Sequence, residues 1–172
     1  TPDPRTWSGE GLLNLEAWCA RTAPSLEARA IEVSFRPHAA QILSDPRSCV
    51  TFLSRLRSSV FSIILDPAGF LTLDMLPRAP EHLTRAFEAL AAGPRISALA
   101  LTNLELGPPG PHAARSLRPA PIDRGLLPAD MLAGLAHQFW PRGRPILLAD
   151  PAADATTLAR AGRNARLNAT LA

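Results

Sequence analysis

Val60-Phe61-Ser62-Ile63-Ile64-Leu65, followed by Asp66-Pro67-Ala68-Gly69, is the stretch that decides the fold class. The run is nearly all apolar and rich in β-branched residues. It is too short for an ordinary helix and suits a buried strand of the kind found in parallel sheets. The Asp-Pro-Ala-Gly that follows turns the chain.

Outward from this strand, helices and strands alternate. On the N-terminal side, Ser8 can cap a helix running to about Arg21, with Leu12, Leu15 and Cys19 on one face and Pro24 closing the segment. Ala30 to Phe35 alternates apolar and polar residues as a strand does. Asp45-Pro46 supplies an N-cap and a proline at the first helical position, and that helix continues through Cys49, Val50, Leu53 and Leu56.

On the C-terminal side, Phe70 to Leu73 reads as another short strand. Pro80 opens a helix to about residue 92, with Leu83, Ala86, Phe87 and Leu90 on one face and Gly93-Pro94 ending it. Ile96 to Leu101 is a strand. Residues 107–125, rich in proline and glycine and without apolar periodicity, read as a long loop. Pro128 opens a helix through Met131, Leu132, Leu135 and Phe139, Pro145 to Ala149 is a strand, and a last helix can begin near Asp154. The expected class is therefore α/β, with alternating helices and mostly parallel strands. Two arrangements satisfy it: an irregular βα solenoid, or a small open sheet with flanking helices.

The chain has 172 residues, enough for a single α/β domain with its own core, or for a fragment of a larger protein. It starts without Met on Thr1-Pro2-Asp3-Pro4 and ends on an apolar run, which reads either as two internal cuts or as the trimmed ends of one domain. Apolar residues are 47% and charged residues 19%, a globular balance rather than a disordered one. No apolar run approaches the roughly 18–20 residues of a membrane span.

All 18 basic residues are arginine, and lysine and tyrosine are absent. Lysine is ordinarily among the commonest residues. A GC-rich genome explains its absence. So does selection against ubiquitin acceptors, which would suit a bacterial protein secreted into a host cytoplasm. The net charge is +3 and the arginines are scattered, so nucleic acid is not an expected partner. Cys19 and Cys49 fall on the apolar sides of predicted helices and read as reduced core residues rather than a disulfide framework.

In residues 96–106, Ile96, Leu99, Leu101, Leu104 and Leu106 take the apolar places of the pattern L-x-x-L-x-L-x-x-N-x-L, although Asn103 stands one place early. A second frame, at Val60, Ile63, Leu65, Ala68 and Phe70, has the spacing without the Asn. This segment resembles a degenerate leucine-rich repeat of the ribonuclease-inhibitor kind, as found in bacterial secreted effectors. The resemblance implies a protein-interaction module whose partner is a host protein, with the strand side as the binding face.

Catalytic motifs are largely excluded. Without lysine there is no P-loop, kinase or Schiff-base lysine in this stretch, and neither G-x-G-x-x-G nor G-x-S-x-G occurs. Two distant cysteines make no zinc site, and no histidine pair has helical metal-site spacing. No cofactor or metal is expected. What remains is the alternative of an α/β hydrolase or transferase with carboxylates at strand C-terminal ends: Asp66 after VFSIIL and Asp150 after PILLA, with His112 in the loop or His38 after a strand as base. Against it, Asp-Pro is also a common way to begin a turn. His82 and His137 read as surface or boundary residues. Trp7, Trp18 and Trp140 suit either core edges or partner anchors.

Overall fold

The structure, a computed structural model, describes residues 8–108 and 116–148, together with Ala159. Helix α1 (Gly9–Glu27) starts at Ser8, whose hydroxyl accepts the Gly11 N–H at 3.2 Å. It does not stop near Arg21 as expected. Pro24 removes one backbone donor, but its φ is compatible with a helix, and the Ala28 N–H donates to the Pro24 carbonyl at 3.1 Å, completing the last turn. The helix end then closes through Ile31 N–H to Leu26 O, with Ala30 in the left-handed region at φ 52°. That closure uses residues assigned to a strand from sequence, so β1 is only Val33–Phe35.

Helix α2 (Pro46–Arg55) carries the expected cap. Asp45 Oδ1 accepts the Ser48 N–H at 2.9 Å, and the Asp45 N–H donates to Ser48 Oγ at 3.3 Å. Strand β2 (Phe61–Leu65) follows. The strand expected at 70–73 is absent. Two short 3-10 turns, Ala68–Phe70 and Leu73–Arg78, stand there instead, because the chain folds back on Asp66 as soon as β2 ends. Helix α3 (Ala79–Leu90) buries Leu83, Ala86, Phe87 and Leu90 as expected and leads to β3 (Ile96–Leu101). Arg95, just before β3, donates to the carbonyls of Ser58 and Leu56 at 2.9 Å each and to that of Leu53, which ties the end of α2 to the start of the sheet.

The expected loop 107–125 is partly strand. Strands β4 (Asn103–Leu106) and β5 (Leu117–Ala120) pair antiparallel in a second, two-stranded sheet. Pro119 lies in β5, an edge strand of this two-stranded sheet, where a missing donor is tolerated. Helix α4 (Ala129–Phe139) and β6 (Ile146–Leu148) complete the described residues. The helix expected from Asp154, the residues Asp150 and His112, and Trp7 lie outside them.

The main sheet runs β1-β2-β3-β6, with every pair parallel. Each new strand is added on the same side as the last. Crossovers between parallel strands are right-handed as a rule, which puts successive helices on one face; α2 packs on α3 and α3 on α4, with α1 against α2. Phe61, Ile63 and Leu65 are fully buried on that face. Rings of Trp18, Phe35, Phe52 and Phe61 cluster with centroids 5.4–6.3 Å apart, and Phe87 stacks on Phe139 at 5.8 Å. On β1, β2 and β3 the hydroxyl of Ser34 meets those of Ser62 and Ser97 at 2.7 and 3.0 Å. The α/β class and the parallel strands are as expected from sequence, in the form of the open sheet with flanking helices.

No helix among the described residues is long and apolar enough to cross a membrane. Trp140 is buried at a core edge with its indole N–H donating to Arg144 O, whereas Trp18 is partly exposed. Cys19 and Cys49 are buried, and loss of hydration pushes the Cys19 thiol up to about 11 and Cys49 to about 12. Because both folded values lie above the unfolded one, their contribution is fully present below the unfolded thiol value and lost as pH rises toward the folded values. Denaturant midpoints should therefore fall above about pH 9. At pH 8 both thiols should react with iodoacetamide only as fast as the protein opens. Rapid alkylation of the folded protein would contradict this placement.

Candidate functional site

Three consecutive parallel strands end at one place. Arg36 is the residue after β1, Asp66 the residue after β2, and Thr102 the residue after β3. Their side chains meet. Arg36 Nε and Nη2 donate to Asp66 Oδ2 at 2.9 and 2.8 Å. Thr102 Oγ1 donates to Asp66 Oδ1 at 3.2 Å, and the Gly69 N–H donates to the same oxygen at 3.2 Å. The Asp66 side chain is 3% exposed and that of Arg36 is 44% exposed. A buried carboxylate is thus matched by a guanidinium reaching in from the rim.

Local sequence explains each part. The Asp-Pro-Ala-Gly turn brings the Gly69 amide back onto Asp66. A Cβ at position 69 would stand 3.1 Å from the carboxyl and from Pro37 O, so the glycine permits the close approach. The Ala39 N–H donates to Gly69 O at 2.8 Å and joins the loop after β1 to the turn after β2. His38 lies on that first loop. Its Nδ1 accepts the Ala40 N–H at 3.1 Å, so the neutral ring carries its proton on Nε2. His38, Thr72, Ser116 and three leucines line a cavity of about 340 Å³. A second cavity, of about 410 Å³, runs beside β1 and is lined by Ser34, Arg36 and Gln41 among apolar residues.

Beyond β3, Asn103 is buried and all its side-chain bonds go to backbone. Its Nδ2 donates to Ile122 O and Leu127 O at 3.0 and 2.8 Å, and its Oδ1 accepts the N–H groups of Leu104 and Leu127 at 2.8 and 3.0 Å. It holds the 122–127 segment against the start of β4.

Of the residues singled out from sequence, Asp66 is at the strand end as placed. Asp150 and His112 lie outside the described residues. Sequence reasoning missed Arg36 and Thr102. The signal that found Asp66, a polar residue directly after an apolar strand, was present at both; it was applied only to carboxylates.

A sheet of parallel strands added in chain order, with helices on one face and polar residues gathered at the strand C-terminal ends, is the construction of a β/α barrel segment. Two solved structures similar to this chain point to the same fold. Mannonate dehydratase from Streptococcus suis serotype 2 superimposes with a TM-score of 0.55 at 14% identity, covering 92% of this chain and 50% of the other. A xylose isomerase-like TIM barrel protein from Mycobacterium smegmatis, in complex with magnesium, gives 0.53 at 11% identity, covering 96% and 59%. The chain thus spans only about half the length of these structures. No protein family matches the sequence, and no curated protein does.

These likenesses concern the fold, and they correct the leucine-rich-repeat resemblance. The segment 96–106 is not one turn of a solenoid: its first part is β3 of the main sheet, and its second is β4 of a separate hairpin. The leucines recur there because β3 is a central strand buried on both faces, while in β4 Leu104 is buried and Leu106 exposed. The reading as an effector's interaction module for a host protein rested on that resemblance and is withdrawn with it.

Proposed function

We propose that this chain is part of a barrel enzyme that isomerises or dehydrates a small polyhydroxylated substrate, a sugar or sugar acid. The observation that carries the proposal is the meeting of Arg36, Asp66 and Thr102 at the C-terminal ends of three consecutive parallel strands, the end where barrel enzymes place their chemistry. The substrate class is suggested by the two neighbours and comes from fold likeness. Within this reading Asp66 positions Arg36, and His38 is the nearby group suited to moving a proton. Asp150, in sequence two residues past the end of β6, is a further candidate carboxylate, as His112 is a further candidate base.

Magnesium accompanies one neighbour, and the residues at this strand end offer such an ion few ligands. Such ions take oxygen ligands with free lone pairs. Each Asp66 oxygen already accepts two hydrogen bonds, one of them receiving both from a cation. Among the described residues no three His, Cys, Asp or Glu side chains gather as a metal site. The described residues do not fit the ion.

The test is incubation with a panel of aldoses, ketoses and aldonates in D2O, with and without magnesium or manganese, followed by proton NMR. Solvent deuterium entering next to a carbonyl, or loss of water from an aldonate, is expected for at least one compound. Absence of exchange and conversion across the panel would refute the enzyme reading.

A further inference from the structure

We infer that the cationic pole of this site is the guanidinium of Arg36, and that it grips the carboxylate or phosphate of a small anionic ligand without a divalent ion. The inference rests on the reading of the strand ends as the ligand site and narrows the ligand to an oxyanion.

The geometry of the guanidinium carries it. Arg36 meets Asp66 side-on, through Nε and Nη2. This uses one edge of a planar group with five N–H donors and leaves the Nη1/Nη2 edge, the one that binds carboxylate and phosphate in two parallel hydrogen bonds. The side chain is 44% exposed, and among the described residues no second hydrogen-bond partner of it is found. Asp66 therefore orients the arginine and removes most of the entropy that an unanchored side chain would lose on binding.

The neighbouring cavity fits this role. Its volume of about 410 Å³ is in the range of small-molecule sites. Among the described residues Arg36 is the one charged side chain lining it, and Asp66, which holds Arg36 from behind, is not part of the lining. Gln41 and Ser34 offer hydrogen bonds to hydroxyl groups, while Leu15, Phe35 and Leu43 supply an apolar wall for a carbon skeleton. A metal ion would need Asp66 to release Arg36, which would separate a buried carboxylate from its counter-ion.

The experiment is a titration of the protein with inorganic phosphate, D-gluconate and neutral D-glucose, in EDTA and then in magnesium. Binding is read by calorimetry and by guanidinium NMR of the wild-type protein. Expected are saturable binding of phosphate or gluconate that EDTA does not change, a shift of the Arg36 resonances, and at least about tenfold weaker binding in Arg36→Met. Phosphate alone would identify a phosphorylated ligand, and gluconate alone a carboxylate.

Because Arg36→Met also frees Asp66, Gln41→Leu serves as a second variant; it keeps the ion pair and should weaken gluconate more than phosphate. Binding that requires magnesium, binding that leaves the Arg36 signals unmoved, or no binding of either anion would overturn the inference. Conversion of neutral sugars without anion binding would remove this inference and leave the enzyme reading standing. Failure of both assays would remove both.

Discussion

Replacing Asp66 with alanine should lower stability by about 3 kcal/mol, a large share of what holds an ordinary domain folded. The substitution removes the acceptor of four hydrogen bonds from three separate strand ends. Arg36 is at the rim and can rehydrate, so the cost stays at the low end for a broken buried pair. Thr102 is buried and its hydroxyl loses its partner. Asp66→Asn keeps the shape but places an amide against the guanidinium and should cost about 2 kcal/mol. In Asp66→Asn with Arg36→Met, the combined loss should be smaller than the sum, since no unpaired charge remains. Urea unfolding of wild type, Asp66→Ala, Asp66→Asn, Arg36→Met and the double variant decides the matter. Additive losses would show that the pair is not coupled as the geometry requires.

Asn103→Ala should cost about 4 kcal/mol, because two buried carbonyls and two N–H groups lose their partner at once. Asn103→Asp should be no better tolerated. It would turn an oxygen toward Ile122 O and Leu127 O, where the amide now donates. Gly125→Ala probes the same clamp from the other side. A Cβ there would overlap Asn103 Cγ and stand 2.7 Å from Leu104 O. Amide hydrogen exchange should show residues 122–127 opening first in Asn103→Ala. Protection there equal to wild type, with unchanged stability, would mean the clamp is redundant.

The local signals in the sequence were reliable where one short stretch contains the whole cause. The Asp45-Pro46-Arg47-Ser48 cap, the apolar face of α3 and strands β2 and β3 are of this kind. Where the sequence misled, a distant partner decided. Phe70 to Leu73 is short and apolar enough to read as a strand, but no neighbouring strand receives it, and the pull of Asp66 on the Gly69 amide bends the chain away. Leu117 to Ala120, inside the proline-rich stretch, becomes a strand because β4 offers it an edge. Likewise, alternating leucines mark a buried strand face without saying what sheet it joins, which is why the repeat-like segment pointed to the wrong family.

By itself, the sequence determined the alternation of helix and strand, the parallel sense that such alternation imposes, the burial of both cysteines and the position of Asp66 at a strand end. Periodicity, caps and crossover handedness act over a few turns of chain, so they are written locally. Only the tertiary structure decided that the strands are added in order on one side, that Arg36 and Thr102 close on Asp66, and that Asn103 holds a segment some twenty residues away in sequence. Strand order follows from which hydrophobic faces pack together, and a buried carboxylate takes its partners from whatever the fold brings within about 3 Å. Both depend on residues far apart in the chain.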